Sequence, residues 1–142
     1  MKSAYTFGIK LQLPVHAARP LVEAALLAEG FGVLTEIDVA ATLQAKLGIS
    51  GPPYLILGAC NPSLAHRALQ ADPSIGALLP CNVVLREGVG QTVVEAMDPR
   101  ALMELVEDPE VEAEAAEAEE RLRRVIASLG IGIGGSGREN IG

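Results

Sequence analysis

The sequence predicts an α+β fold, in which a mainly antiparallel sheet carries helices packed on one face. Residues 5–13 alternate apolar and polar side chains, which is typical of a strand with one buried and one solvated face. A doubly wound parallel sheet would instead need continuous apolar runs in its strands, because both faces are covered. The strand-like segments 81–87 and 91–97 flank a short glycine-containing loop and therefore predict a hairpin.

Helix-starting and helix-ending residues divide the rest of the chain into elements. Gly30 and Gly48 end two helices, because glycine readily adopts the left-handed conformation found after a helix. Asn61 and Pro62 begin another, since Asn accepts from first-turn amides and Pro fits the first helical position. The predicted order after the first strand is a helix at 17–29, a strand at 31–37, a helix at 39–47, a strand at 54–59, a helix at 62–71, an apolar connector at 75–80, the hairpin, a short helix after Pro99 and a long acidic helix at 109–129.

Composition predicts one domain over 1–129 and excludes several classes of protein. The chain has 142 residues, of which 49% are hydrophobic, whereas 130–142 is glycine-rich and predicts a disordered tail. A net charge of −7 argues against sequence-independent nucleic-acid binding, which needs basic side chains. No window approaches ~18 consecutive apolar residues and no signal pattern is present, so no membrane or secretory role is expected. Two cysteines in such a chain favour a reducing, cytoplasmic location.

Two Cys-Asn dipeptides, Cys60-Asn61 and Cys81-Asn82, are the strongest candidates for a site. Cys60 ends a predicted strand and immediately precedes a helix whose start would stabilise a thiolate, which makes it the better nucleophile. The helix between the two dipeptides can bring both strand ends to the same edge of the sheet. These four residues therefore predict a thiol site or a ligand pocket. The alternative is that both cysteines are small core residues and that Asn61 is merely a helix cap.

A metal site is not expected from this sequence, and no cofactor is predicted. The soft ligands are Cys60, Cys81, His16 and His66, and neither a CxxC nor an HxxxH spacing occurs among them. On its predicted helix, His66 falls on the polar side, where an exposed histidine is expected.

The acidic helix carries a narrow apolar stripe over nearly three heptads. Its charged residues form a solvated face, with acids first and arginines last, which suits the helix dipole. The stripe either lies across the domain's own sheet or is shared with a second subunit. Because a helix of about 21 residues can overhang a small sheet, we expect a homodimer with Leu122 and Val125 at its interface. The stripe consists of Val111, Ala115, Ala118, Leu122, Val125 and Leu129.

Three segments resemble, in order and spacing, the domain-of-unknown-function 302 family. They are GFGVLTEIDV at 30–39, LGACNP at 57–62 and GALLPCNVV at 76–84. The resemblance spans about residues 5–106 and leaves out the acidic helix and the tail. It implies a fold similar to the TATA-binding protein, a β-α-β4-α core with inserted helices. It implies no activity, because none is assigned to the family.

The sequence leaves two functional hypotheses. The first is a small cytoplasmic homodimeric binding or interaction module for an apolar ligand or a protein partner, without catalysis. The alternative is a thiol-dependent redox or sulfur-handling protein that uses Cys60 and Cys81. Nucleic acid and membranes are not expected as partners.

Overall fold

The computed structural model of the protein describes residues 3–133, with the side chains at 103, 132 and 133 excepted. Its helices and strands match the predicted order, and the apolar connector forms a 3₁₀ helix. Among the helices described, none combines the length and apolarity that crossing a membrane requires. The elements are β1 (Thr6–Leu11), α1 (Val15–Ala28), β2 (Gly32–Asp38), α2 (Val39–Leu47), β3 (Tyr54–Cys60), α3 (Pro62–Ala71), the 3₁₀ helix (Pro73–Leu78), β4 (Cys81–Glu87), β5 (Thr92–Met97), α4 (Pro99–Met103) and α5 (Pro109–Ile133).

The described strands form a five-stranded sheet in the order β1-β5-β4-β3-β2. Every neighbouring pair is antiparallel, so the predicted α+β fold is confirmed. β2 to β5 form a meander, while β1 returns to the edge beside β5 and pairs with it from Thr6↔Met97 to Leu11↔Thr92. A register shift between Val33 and Thr35 interrupts the pairing of β2 with β3.

Alternate strand residues build one core beneath α1 and α5. Strand side chains point to opposite faces in turn, so β1, β3, β4 and β5 each contribute every second residue to the helix-covered face. The main core joins this face to one stripe from each of the two long helices. Its largest fully buried members are Phe7, Ile9, Leu11, Leu26, Phe31, Leu57, Leu85, Leu122 and Ile126.

The dimer interface predicted at Leu122 and Val125 is wrong. These side chains are 0% and 1% exposed in the single chain, so neither is available to a partner subunit. α5 lies across the sheet and contacts α1, α3, α4, β1 and β5. An apolar stripe at helical spacing covers the chain's own sheet as readily as a second helix.

The helix also extends past its predicted end at 129. Leu129 still belongs to the core, and the helical conformation continues to Ile133. The first four residues of the predicted tail, 130–133, therefore belong to α5. The remainder of that prediction, 134–142, lies outside the described residues.

Side-chain caps fix the starts of α2 and α3. The Asp38 carboxylate accepts a hydrogen bond from the Ala41 amide at 2.8 Å and begins α2. The Asn61 carbonyl oxygen accepts from the Leu64 amide at 3.3 Å and begins α3 directly after β3. The end of β3 and the start of α3 are thereby held in a fixed relation.

A candidate ligand pocket between two helices

An open pocket lies where the end of β3 and the start of β4 meet α3, the 3₁₀ helix, α4 and α5. Most of its lining is aliphatic, because α3 and α5 turn small or branched side chains towards it. Small-molecule sites are typically concave and apolar with a few polar groups. The apolar lining includes Phe31, Ala59, Leu64, Ala68, Ile75, Leu78, Met97, Leu102, Val106, Val111, Ala115 and Ala118.

Cys60 and Cys81, the two cysteines of the predicted site, both line this pocket. The register of β3 with β4 pairs Cys81 with Ala59, the residue before Cys60, so the two cysteines lie close together where the neighbouring strands end and begin. Neither forms a disulfide. The sheet thus brings together two thiols that are 21 positions apart in the sequence.

Burial makes both thiols weaker acids than free cysteine. It raises the pKa of the Cys60 thiol above its ordinary value, because the thiolate is poorly solvated there. Burial, and next the charge of a Cys60 thiolate, raise the pKa of Cys81 from 9.0 to about 11. The position of Cys60 before a helix start predicts a lowered pKa, whereas its burial raises that pKa. Both groups are therefore protonated thiols at neutral pH.

Asn61 lines the pocket, but its amide is already engaged in the fold. Besides capping α3, its Nδ2 donates to the Glu29 carbonyl at 3.5 Å. Arg121 donates to the same carbonyl at 3.0 Å. Gly30 follows with a φ of 85°, and a side chain there would meet Asn61 Nδ2 at 2.8 Å. Asn61 therefore holds the ends of α1 and α3 together, as the capping alternative proposed.

Asn82 does not reach the pocket, and its inclusion in the predicted site is wrong. It is exposed, whereas its neighbour Val83 lies in the core. Successive strand side chains point to opposite faces, so Cys81 and Val83 face the helices while Asn82 faces away. The repeated dipeptide suggested a paired function that the pleat of β4 excludes.

Glu114 is the site residue that the sequence interpretation missed. It lines the pocket, and its Oε1 accepts from Arg67 Nε at 2.9 Å. Its Oε2 is buried and has no hydrogen-bond partner among the described residues. The acidic run was interpreted as a solvated face, yet Glu114 is three residues after Val111 and four before Ala118. That spacing places Glu114 beside the buried stripe, and it is the sequence feature that indicates a place in the pocket.

The described part of the chain offers no set of metal ligands. Within residues 3–133, no three His, Cys, Asp or Glu side chains are grouped so that they could hold a metal ion. His16 and His66 are both exposed.

Comparison with known proteins places the chain in a family. The family model for "Domain of unknown function DUF302" matches residues 7–129. The match continues past residue 106, so the expectation that the acidic helix lies outside the shared pattern is wrong. A similar solved structure is the "Crystal structure of uncharacterized conserved protein DUF302 from Bacillus stearothermophilus", which is 30% identical with a TM-score of 0.80. The similarity covers 87% of this chain and 97% of that one.

No curated protein matches this chain significantly. The family model nevertheless covers most of the sequence, and the solved structure shares both its fold and 30% of its residues. The chain therefore belongs to the DUF302 family.

Proposed function

We propose that this protein is a binding module that takes a small, largely apolar molecule in the pocket between α3 and α5. The observation that carries the proposal is a preformed apolar pocket in which two thiols and one carboxylate are the polar side chains not engaged as helix caps. Pockets of this kind bury the body of a ligand and use a few polar groups to orient it. The proposal includes the cytoplasmic location and the homodimer predicted from the sequence.

The alternative is a thiol-dependent redox or sulfur-handling protein, and one observation favours it. Cys60 and Cys81 lie on neighbouring strands and line one pocket. Nucleophilic chemistry requires the thiolate, however, and burial raises the pKa of both groups. The arrangement therefore supports binding without catalysis better than it supports thiol chemistry.

Filling the pocket is the direct test of the proposed function. Ala115 lines the pocket, whereas the adjacent Ala116 is exposed. We expect Ala115→Leu to abolish the rise in melting temperature that a bound apolar ligand causes, because the added side chain occupies the pocket. Ala116→Leu, which adds the same atoms in solvent, should retain that rise. A ligand at a hundredfold excess over its Kd stabilises the folded chain by about 2.7 kcal/mol.

Differential scanning fluorimetry against a panel of small alcohols, amines, acids and aromatic compounds measures this effect. If no compound stabilises the wild-type chain, or if Ala115→Leu responds as the wild type does, the proposed function is wrong.

A further inference from the structure

We infer that the pocket selects apolar molecules whose polar end donates a hydrogen bond, and that it discriminates against carboxylates through Glu114. The inference rests on the proposed function, since it specifies the chemistry of the ligand in the same pocket. It follows from the placement of one carboxylate in an otherwise apolar lining.

Only one of the two carboxylate oxygens of Glu114 has a hydrogen-bond partner among the described residues. Arg67 donates to Oε1 at 2.9 Å, and this arginine side chain is itself half exposed at the helix surface. Oε2 is removed from solvent and meets no donor in the described part of the chain. A buried acceptor without a partner is costly, and the cost is recovered when a donor reaches it. A ligand that carries a donor therefore gains more here than it would at an apolar wall.

No positive charge is available in the lining to receive an anion. Among the described lining residues there is no Lys, Arg or His. The Asn61 amide is held by Glu29 and by the start of α3. A carboxylate ligand would lose its hydration beside the carboxylate of Glu114. Arg67, the cation paired with that carboxylate, already donates to its Oε1 and does not line the pocket.

The ligand class that fits is an alkyl or aromatic molecule with a terminal amine or hydroxyl group. Its body would contact the aliphatic stripe of α3 and α5, where Ala68, Val111 and Ala118 line the pocket. Its polar end would donate to the carboxylate of Glu114, one oxygen of which has no hydrogen-bond partner among the described residues. Protonated amines gain most, because hydrogen bonds between charged groups are stronger than neutral ones.

Three probes with the same alkyl body separate these contributions: hexylamine, hexanol and hexanoate. Isothermal titration calorimetry on the wild-type chain should give the tightest binding for hexylamine and at least about tenfold weaker binding for hexanoate. Glu114→Gln should reduce the difference between hexylamine and hexanoate to less than about threefold. Gln keeps an oxygen for Arg67 and supplies an amide donor for the anion.

The matched control is Glu112→Gln, an exposed position on the same helix that changes the net charge equally. It should leave the wild-type order unchanged, which separates contact with Glu114 from the general repulsion of anions by an acidic protein. Thermal unfolding of both variants, followed by circular dichroism, establishes that they are folded.

Binding of all three probes with equal affinity would overturn the inference and leave the proposed function standing. The same holds if Glu114→Gln keeps the tenfold preference. Binding of none of them would contradict both the inference and the proposed function.

Discussion

Cys81 ionises at a much higher pH in the folded chain than in the unfolded one. Burial and the neighbouring Cys60 raise its pKa from 9.0 to about 11. Below pH 9 the thiol is protonated in both states, so its contribution to stability is fully present. Between pH 9 and 11 the unfolded chain loses this proton while the folded chain keeps it, and the free energy of unfolding therefore falls.

We expect this contribution to amount to roughly 2 to 3 kcal/mol by pH 11. Urea unfolding at a series of pH values, under reducing conditions, compares the wild type with Cys81→Ser. The variant should show a shallower loss of stability above pH 9. Equal slopes in the two proteins would mean that the thiol is not desolvated, and would favour the thiol-dependent alternative.

Some residues of the pocket can be predicted from the sequence, and others cannot. Cys60 and Cys81 could be paired from their positions at successive strand ends, and the structure places both in one pocket. The repeated dipeptide predicts Asn82 in the same site, although the alternation of β4 turns it away. The acidic composition of α5 indicates a solvated face for Glu114, whereas its helical position, between Val111 and Ala118, indicates the buried side. Its unsatisfied oxygen depends on packing between α3 and α5, which no local pattern reports.

α5 is an internal element of the fold rather than an appendage. Its apolar stripe joins the main core, and its acidic residue Glu119 is buried between Arg100 and Arg123. The amphipathic pattern predicted the helix and its buried side correctly. It could not identify the surface that covers that side, because the stripe is the same for a sheet and for a second subunit.

The element-scale prediction concerns the centre of this stripe. We expect Leu122→Ala to lower the free energy of unfolding by about 2 to 5 kcal/mol, since it leaves a cavity in a close-packed core. Glu120→Ala, at an exposed position on the same helix, should change it by less than about 0.5 kcal/mol. Urea unfolding followed by circular dichroism measures both values. A Leu122→Ala protein of unchanged stability would contradict the intramolecular packing of α5.

At the scale of the whole molecule, the homodimer stays a prediction. Because Leu122 and Val125 are buried within the chain, the dimer needs another surface. α2 has no buried residue, and β2 forms one edge of the described sheet. Edge strands with exposed apolar side chains are prone to pair with another chain. The exposed apolar residues of this region, which we call the β2-α2 surface, are Leu34, Ile37, Leu43, Leu47 and Ile49.

Analytical ultracentrifugation tests this prediction with a matched pair of variants. Leu34 on β2 and Leu27 on α1 are both 67% exposed. We expect a dimer for the wild type and for Leu27→Glu, and a monomer for Leu34→Glu, because a charge at the β2-α2 surface disfavours pairing. A wild-type chain that is monomeric at every concentration would show that the predicted homodimer does not form.

The position of β1 beside β5 has a consequence for synthesis. Phe7 is fully buried, and the guanidinium carbon of Arg123 lies 4.3 Å from the centroid of its ring. Because β1 precedes both β5 and α5 in the chain, it leaves the ribosome before the strand that pairs with it and the helix that covers it. Until these emerge, the nascent chain presents an unpaired apolar strand, the kind of segment that chaperones shield from aggregation.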